Sequence, residues 1–424
     1  MTFVSATMRA FAATVAVGVL AFGQPAAPAR GGGRGRGPTV VSPEVMPDGR
    51  VAFRILAPKA EKVSLSANDI SVLFSGGGAG AIAGTNIETQ MPPEKLPPGW
   101  PEFTKNESGI WEATVGPLPP GAYRYIFVVD GVHTLDPVNT HTAESLTNDW
   151  SLFTVPGVEL MDTNQVPHGA VAEIFYYSQV LKTTRRMHVY TPPGYEAGNT
   201  KYPVFYLLHG AGDTDDAWTS VGRAGFIFDN MLAQKKMKPM IVVMPAGHQP
   251  GIAFGAPPPA EMAPTVNPFT NEFITDMVPY VEKHYRTIND RQHRAIAGLS
   301  MGGTQTMDIA FTHLGMFAQI GVFSSGAVLG GGRGRGPASA TPAPPRPDWE
   351  ATHAADLDNA ALKKGTKLIW LSTGKDDGLI AATKATVDIL KKHGFEPVFI
   401  ESPGAHSWFN WRNYLMEFTP KLFQ

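Results

Sequence analysis

The pentapeptide Gly298-Leu299-Ser300-Met301-Gly302 stands between a strand-like run, RAIA from residue 294, and the helix-compatible run GTQTMDIAFTHL from residue 303. Few backbones accept such a junction. The chain must pass from strand to helix over one residue, which lifts Ser300 above a sheet, and glycines flank it where neighbouring backbone approaches without a Cβ clash. The helix N-terminus favours negative charge developing beside the hydroxyl. A strand that ends this way needs neighbours, and the surrounding sequence supplies them. Strand-like runs fall at Arg186 to Tyr190, Val204 to Leu208, Met240 to Met244 and Ala295 to Gly298, then at Phe317 to Phe323, Lys367 to Ser372 and Pro397 to Glu401. Helical patterns lie between many of them, as at Phe273 to His284 and Ala381 to His393. Strand and helix in alternation predict a mostly parallel sheet covered on both faces, with short apolar runs such as VFYLL and MIVVM as its buried strands.

Ser300 is a weak nucleophile until a base removes its proton. The α/β-hydrolase fold that this pattern predicts places an acid and then a histidine downstream of the serine. Both are present. The apolar strand Leu368 to Ser372 runs into Thr373-Gly374-Lys375-Asp376-Asp377-Gly378, and Pro403-Gly404-Ala405-His406 lies on a turn before the last helical run. His406 is the expected general base and Asp377 the carboxylate that holds its tautomer, with Asp376 as the competing acid in the same loop. The oxyanion hole requires two backbone N–H groups. One is expected from Met301. The other is expected from the loop His209-Gly210-Ala211-Gly212-Asp213, with Ala211 as donor and Gly212 as its alternative; His209 reads as a structural residue of that loop.

The amino-terminal half has a different rhythm. Arg9 precedes an apolar run from Phe11 to Phe22 and then Gly23-Gln24-Pro25, which reads as a signal peptide over 1–23 and predicts a secreted or periplasmic protein. The run is shorter than the ~20 residues of a membrane span. Residues 24–38 contain GGGRGRGP (Gly31 to Pro38) and read as a linker; the same octapeptide returns at Gly330 to Pro337 and reads as a surface loop. The runs Val51 to Leu56, Val63 to Leu65, Trp111 to Val115 and Ala122 to Val129 have strand composition, bounded by turn residues. They predict a small β-sandwich over 39–155, followed by the α/β-hydrolase domain over 165–424. GAGAIA at Gly78 superficially matches a dinucleotide loop, but Pro92 and Pro93 arrive before any helix can follow.

The stretch Gly109 through Trp111, Gly121, Tyr123, Tyr125 and Asp130-Gly131 to Asp136-Pro137 resembles the immunoglobulin-like modules that precede glycan-active enzymes, the family 48 carbohydrate-binding modules and their relatives. That resemblance offers Trp111 and Tyr125 as residues that stack on sugar rings, although an aromatic in such a sheet is more often core; the alternative for the domain is a spacer that shapes the mouth of the active site. From Tyr202 to Gln424 the chain resembles the feruloyl and acetyl-xylan esterases of carbohydrate esterase family one. The segments YPVFYLLHGAGDTDDAW, RAIAGLSMGGTQTMDIAFTHLGMFAQIGVFSSG, STGKDDGLI and ESPGAHSWFNWRNYLMEF carry it. The resemblance implies Ser300, Asp377 and His406 as the triad and an ester of plant cell-wall polysaccharide as substrate. It also implies a substrate pocket near Trp218, Asp216, Gly210 and Gly212. Three features depart from that family: Gly212-Asp213 where many members carry a second glycine, the long insert Gly251 to Pro268, and the Gly330 to Pro347 loop.

Enterochelin-type siderophore esterases share the plan of a β-domain followed by a hydrolase and are the alternative; an acyltransferase on the same fold is a second. The chain has no cysteine, which excludes thiolate nucleophiles and thiolate metal sites. No H-E-x-x-H occurs and the twelve histidines are scattered, so no cofactor and no metal is expected. A formal charge of −2 gives no general attraction to nucleic acid or to anionic membrane. The expected partner is the ester substrate, linked to polysaccharide.

Overall fold

The computed structural model describes residues 39–70, 100, 102–249, 267–327 and 348–424. The signal peptide, the linker, both copies of the Gly/Arg octapeptide and nearly all of the Ser75 to Pro101 and Gly251 to Pro268 inserts lie outside the described residues.

Strands β1 (Glu44–Val45), β2 (Val51–Leu56), β4 (Thr104–Lys105) and β5 (Ile110–Val115) form an antiparallel sheet in the order β1-β2-β5-β4. A second sheet, ordered β3-β6-β9-β8, contains β3 (Val63–Ser66), β6 (Gly121–Val129), β9 (Asp149–Val155) and β8 (Thr142–Glu144), with β7 (Val132–Thr134) paired to β6. Alternate residues of β2 and β6 point inward, as a two-sheet core requires. Phe53, Tyr125 and Phe153 meet there with ring centroids 4.8–5.7 Å apart. Tyr125 is wholly buried and its hydroxyl donates to Asp136 Oδ2 at 2.7 Å. Of the two readings of Tyr125, the core one holds: the ring is part of the sandwich interior. Trp111 is half-buried, its indole N–H donating to the Ala57 carbonyl at 3.1 Å.

The larger sheet has eight strands in the order β10-β11-β13-β12-β14-β15-β16-β17. They are β10 (Ala170–Ser178), β11 (Thr183–Thr191), β12 (Val204–Leu208), β13 (Ile241–Pro245), β14 (Arg294–Leu299), β15 (Gln319–Phe323), β16 (Leu368–Gly374) and β17 (Val398–Ser402). The hairpin β10–β11 is antiparallel and β11 pairs antiparallel with β13; every pair from β13 to β17 is parallel. The central strands are apolar on both faces, as burial between two helical layers demands. Tyr206, Leu208 and Ile296 face one layer with Phe269, Phe273, Met307 and Phe311. Phe205, Leu207 and Ala297 face the other, which holds Trp218, Phe228, Trp411 and Phe418. This is the α/β-hydrolase fold, preceded by an all-β region.

The helices that bear on the site are α1 (Ala224–Ala233), α2 (Val278–His284), α3 (Met301–Thr312), α4 (Ile380–Lys392) and α5 (Trp408–Phe418). Helical structure before α2 starts earlier than the Phe273 pattern suggests. Pro268 occupies the first helical position, where its missing N–H costs nothing, and the Asn267 side chain accepts from Phe269 N–H at 2.9 Å. Residues Val40–Gln424 make up one compact unit, so the all-β region and the hydrolase region pack together.

Candidate active site

Ser300 joins β14 to α3 with φ 51° and ψ −115°, a conformation rarely taken by a residue with a side chain. Its N–H donates to the Phe323 carbonyl at 2.9 Å, which ties the turn to β15. The close packing explains the pentapeptide: a Cβ on Gly302 would lie 2.5 Å from the His209 carbonyl oxygen. The elbow therefore sits directly beneath the loop that follows β12.

The serine hydroxyl donates to His406 Nε2 at 3.0 Å. On the far side of the ring, Nδ1 donates to Asp377 Oδ2 at 2.9 Å, with Oδ1 at 3.1 Å. The three groups are buried, with exposures of 7% for Ser300, 3% for His406 and 2% for Asp377. Burial pushes the Asp377 carboxyl up, but the attraction and hydrogen bond of His406 and the Leu379 N–H at 2.8 Å outweigh it, so the group is held below its ordinary value and stays ionised. Asp376, one residue earlier, is exposed, and its N–H donates to the Gly404 carbonyl at 3.0 Å. The structure thus brings Asp377 to the imidazole and leaves Asp376 at the surface. The acid loop and the histidine loop brace one another, since Lys375 N–H also donates to the Ser402 carbonyl at 2.8 Å. Trp411 of α5 stands edge-on to the His406 ring at 5.0 Å.

Met301 is the first residue of α3, so its N–H has no intrahelical acceptor. Across from it runs the loop His209 to Asp213. A Cβ on Gly210 would lie 3.6 Å from Ser300 Cβ, which places the loop over the elbow and Ala211 just beyond it. His209 is structural, its Nδ1 donating to the Gly210 carbonyl at 2.7 Å and its Nε2 accepting from Gly247 N–H at 2.8 Å. Burial pushes its pKa down to about 4, so the ring is neutral.

The pocket roles implied for Trp218 and Asp216 meet a different arrangement. Trp218 has no exposed surface; its indole N–H donates to the Leu208 carbonyl at 3.1 Å and its ring packs against Trp408. It is a core residue that supports the loop from below, and this corrects its assignment to the pocket. Asp216 accepts from Glu144 N–H at 2.9 Å through Oδ2 and from the Thr219 hydroxyl at 3.2 Å through Oδ1. Its carboxylate is engaged in holding the loop to the all-β region. Gly212 is part of the same contact, its carbonyl accepting from Leu146 N–H at 3.0 Å.

Sequence reading missed the charged partner of this loop. Asp213 accepts from Arg124 Nη1 at 2.6 Å, and the same guanidinium donates through Nε to Asp69 Oδ2 at 3.0 Å. A sequence separation of 89 residues gave no local signal for the pair. Among the described residues no group of three His, Asp or Glu side chains is placed to hold a metal ion, and no helix is long and apolar enough to cross a membrane.

A buried serine at a strand-to-helix elbow, facing an imidazole and a carboxylate at the ends of later strands, is the frame of the esterases and their kin within the α/β-hydrolase fold. The chain belongs to the Esterase family, whose model, described as "Putative esterase", matches residues 178–422. It is a family of carboxylic ester hydrolases. The endo-1,4-beta-xylanase/feruloyl esterase of Xylanibacter ruminicola is 27% identical over 391 residues, covering 90% of this chain and 46% of that protein. This chain therefore spans less than half of that relative's length. The solved structure of the CE1 ferulic acid esterase of Anaeromyces mucronatus superposes with a TM-score of 0.52 and 27% identity over 63% of this chain and 96% of that one. The enterobactin esterase FES of Shigella flexneri has the same fold over 88% of this chain and 93% of its own, with a TM-score of 0.58 and 16% identity.

Proposed function

We propose that the chain is a serine carboxylic-ester hydrolase that acts through an acyl-enzyme on feruloyl or acetyl esters of plant cell-wall polysaccharide. The observation that carries the chemistry is the unbroken hydrogen-bonded line from Ser300 through His406 to Asp377. The substrate class is supported by the feruloyl esterase likeness in sequence and structure.

In the proposed cycle His406 Nε2 takes the Ser300 proton as Oγ attacks the ester carbonyl carbon. The carbonyl oxygen becomes an oxyanion, met by the N–H groups of Met301 and Ala211. Asp377 fixes the ring with Nδ1 protonated and stabilises the imidazolium. When the C–O bond to the alcohol breaks, His406 returns the proton to the leaving oxygen. Water then enters, loses a proton to the same nitrogen and attacks the acyl carbon, and as the bond to Oγ breaks His406 returns that proton to Oγ, freeing the acid and Ser300. The cycle needs no cofactor. An export role, secreted or periplasmic, rests on the sequence of residues 1–23.

The deciding experiment is hydrolysis of a matched panel: methyl ferulate, acetylated xylan, p-nitrophenyl acetate and a catecholate siderophore ester, with Ser300→Ala as blank. Preference for ferulate or acetyl-xylan, lost by at least about 10⁴-fold in the blank, is the expected result. Preference for the siderophore ester retains the site and replaces the substrate. Near-normal turnover by Ser300→Ala overturns the mechanism.

A further inference from the structure

The loop that lies over Ser300 is gripped by the all-β region. Four contacts make the grip. Arg124 Nη1 donates to Asp213 Oδ1, Leu146 N–H to the Gly212 carbonyl, and Glu144 N–H to Asp216 Oδ2. Ser145 adds an isolated antiparallel bridge to Asp213. The donors sit on β6, at the end of β8 and on the turn between β8 and β9, neighbours within one sheet.

Arg124 is the centre of this arrangement. It projects from the middle of β6, only 12% of its side chain is exposed, and Asp69 accepts from both its backbone N–H and its Nε at 3.0 Å. Asp69 thus fixes the guanidinium before it reaches Asp213. Two carboxylates, themselves 11% and 8% exposed, converge on one cation. Removing a buried cation of this kind leaves carboxylates uncompensated, a heavier penalty than the pair's net worth.

The loop needs such an anchor. Gly210-Ala211-Gly212 has two glycines in three residues, and a soft backbone does not hold an N–H to the few tenths of an ångström that oxyanion stabilisation requires. Gly247 and His209 fix the loop at its start, through the 2.8 Å bond from Gly247 N–H to His209 Nε2. Beyond Ala211, Gly212, Asp213 and Asp216 are fixed from the all-β region, while Asp215 between them is held from β11 by Arg186 Nε and His188 Nδ1, each at 2.9 Å.

We propose that Arg124, acting through Asp213, is a positioning residue for the oxyanion loop, which makes the all-β region part of the catalytic unit. This rests on the roles given above to Ser300, Met301 and Ala211. The acceptor carbonyl at Gly212 and the carboxylate at Asp213 flank Ala211 on one side, so their restraint sets where its N–H points.

The test uses the full chain with Arg124→Ala, Arg124→Lys, Asp213→Asn and the double variant Arg124→Ala/Asp213→Asn. Steady-state kinetics on p-nitrophenyl acetate separate kcat from KM, and stoichiometric labelling by a fluorophosphonate counts competent Ser300. Arg124→Ala should lower kcat by about 10- to 100-fold with KM within about threefold, a loss no larger than that of an oxyanion donor itself. Arg124→Lys should recover part of the loss, and the double variant should be no slower than Arg124→Ala, because both substitutions break one contact. Labelling should still approach one per chain. Hydrogen exchange should rise over residues 209–216 in Asp213→Asn, which keeps the proposal decidable if Arg124→Ala does not fold. Unchanged kcat, a loss confined to KM, multiplicative losses in the double variant, or undisturbed exchange over 209–216 would each overturn it. A wild-type protein that resists the fluorophosphonate would instead overturn the assignment of Ser300, leaving the anchoring question to the exchange data alone.

Discussion

A Cβ placed on Gly298 would come within 2.3 Å of the Gly302 carbonyl, so the strand that ends before Ser300 and the helix that begins after it touch backbone to backbone. No rotamer relieves that contact, because both partners are main chain. Gly298→Ala is expected to lose about 2 kcal/mol or more of stability, by forced backbone displacement, and to lose activity with it. Urea titration and turnover on a soluble ester measure the two. A variant of wild-type stability would mean that the elbow has slack.

Asp376 and Asp377 offer a paired comparison within one loop. Asp377→Asn keeps the shape but replaces the acceptor that orients His406, and about 10³- to 10⁴-fold should be lost from kcat. Asp376 is exposed, and Asp376→Asn should stay within about twofold of wild type. Equal losses in the two variants would reopen the assignment of the acid.

Trp218 separates a core role from a pocket role. With its ring wholly buried against Trp408 and its N–H bonded to Leu208, Trp218→Ala should cost about 3–5 kcal/mol of stability. A change in KM with thermal stability intact would restore the pocket role.

Acid should weaken the fold through His209. Unfolded, its ring takes a proton near 6.5, whereas in the folded chain burial delays protonation to about 4. Between those values the unfolded state binds more protons, so stability falls as pH drops through this window. His248, pushed down to about 4 by burial and by His209 beside it, adds to the slope. Melting temperatures from pH 8 to pH 4 should fall more steeply for wild type than for His209→Gln. Parallel curves would show that His209 is not the group responsible.

Much of the hydrolase sheet was legible because buried parallel strands are short apolar runs, and the runs found at Val204 and Leu368 start where β12 and β16 start. The elbow was legible because its chemistry is local. What escaped has a physical reason in each case. β10 carries Val171, Phe175 and Tyr177 on an exposed face, so its pattern does not match a half-buried strand with a polar side. β8 is three residues long and mostly polar. Pro268 reads as the end of a Pro-rich insert when it is in fact a helix start. Trp218 lies close to the oxyanion loop along the chain, but one sequence does not tell which side of the loop a ring occupies. Arg124 and Asp213 lie in separate halves, and only the folded chain brings them within 2.6 Å.

Arg412 of α5 extends the same theme to chain exchange between relatives. Buried just beyond the histidine loop, its Nη1 donates to the Ala122 carbonyl on β6 at 3.1 Å and to the Val221 carbonyl before α1 at 2.9 Å. A recombination event that swapped the first 155 residues for those of a distant esterase would have to supply a carbonyl at that spot as well as a cation opposite Asp213. The hydrolase half of this chain is therefore fitted to its own all-β region, and a foreign region in its place should leave Arg412 and Asp213 without their partners.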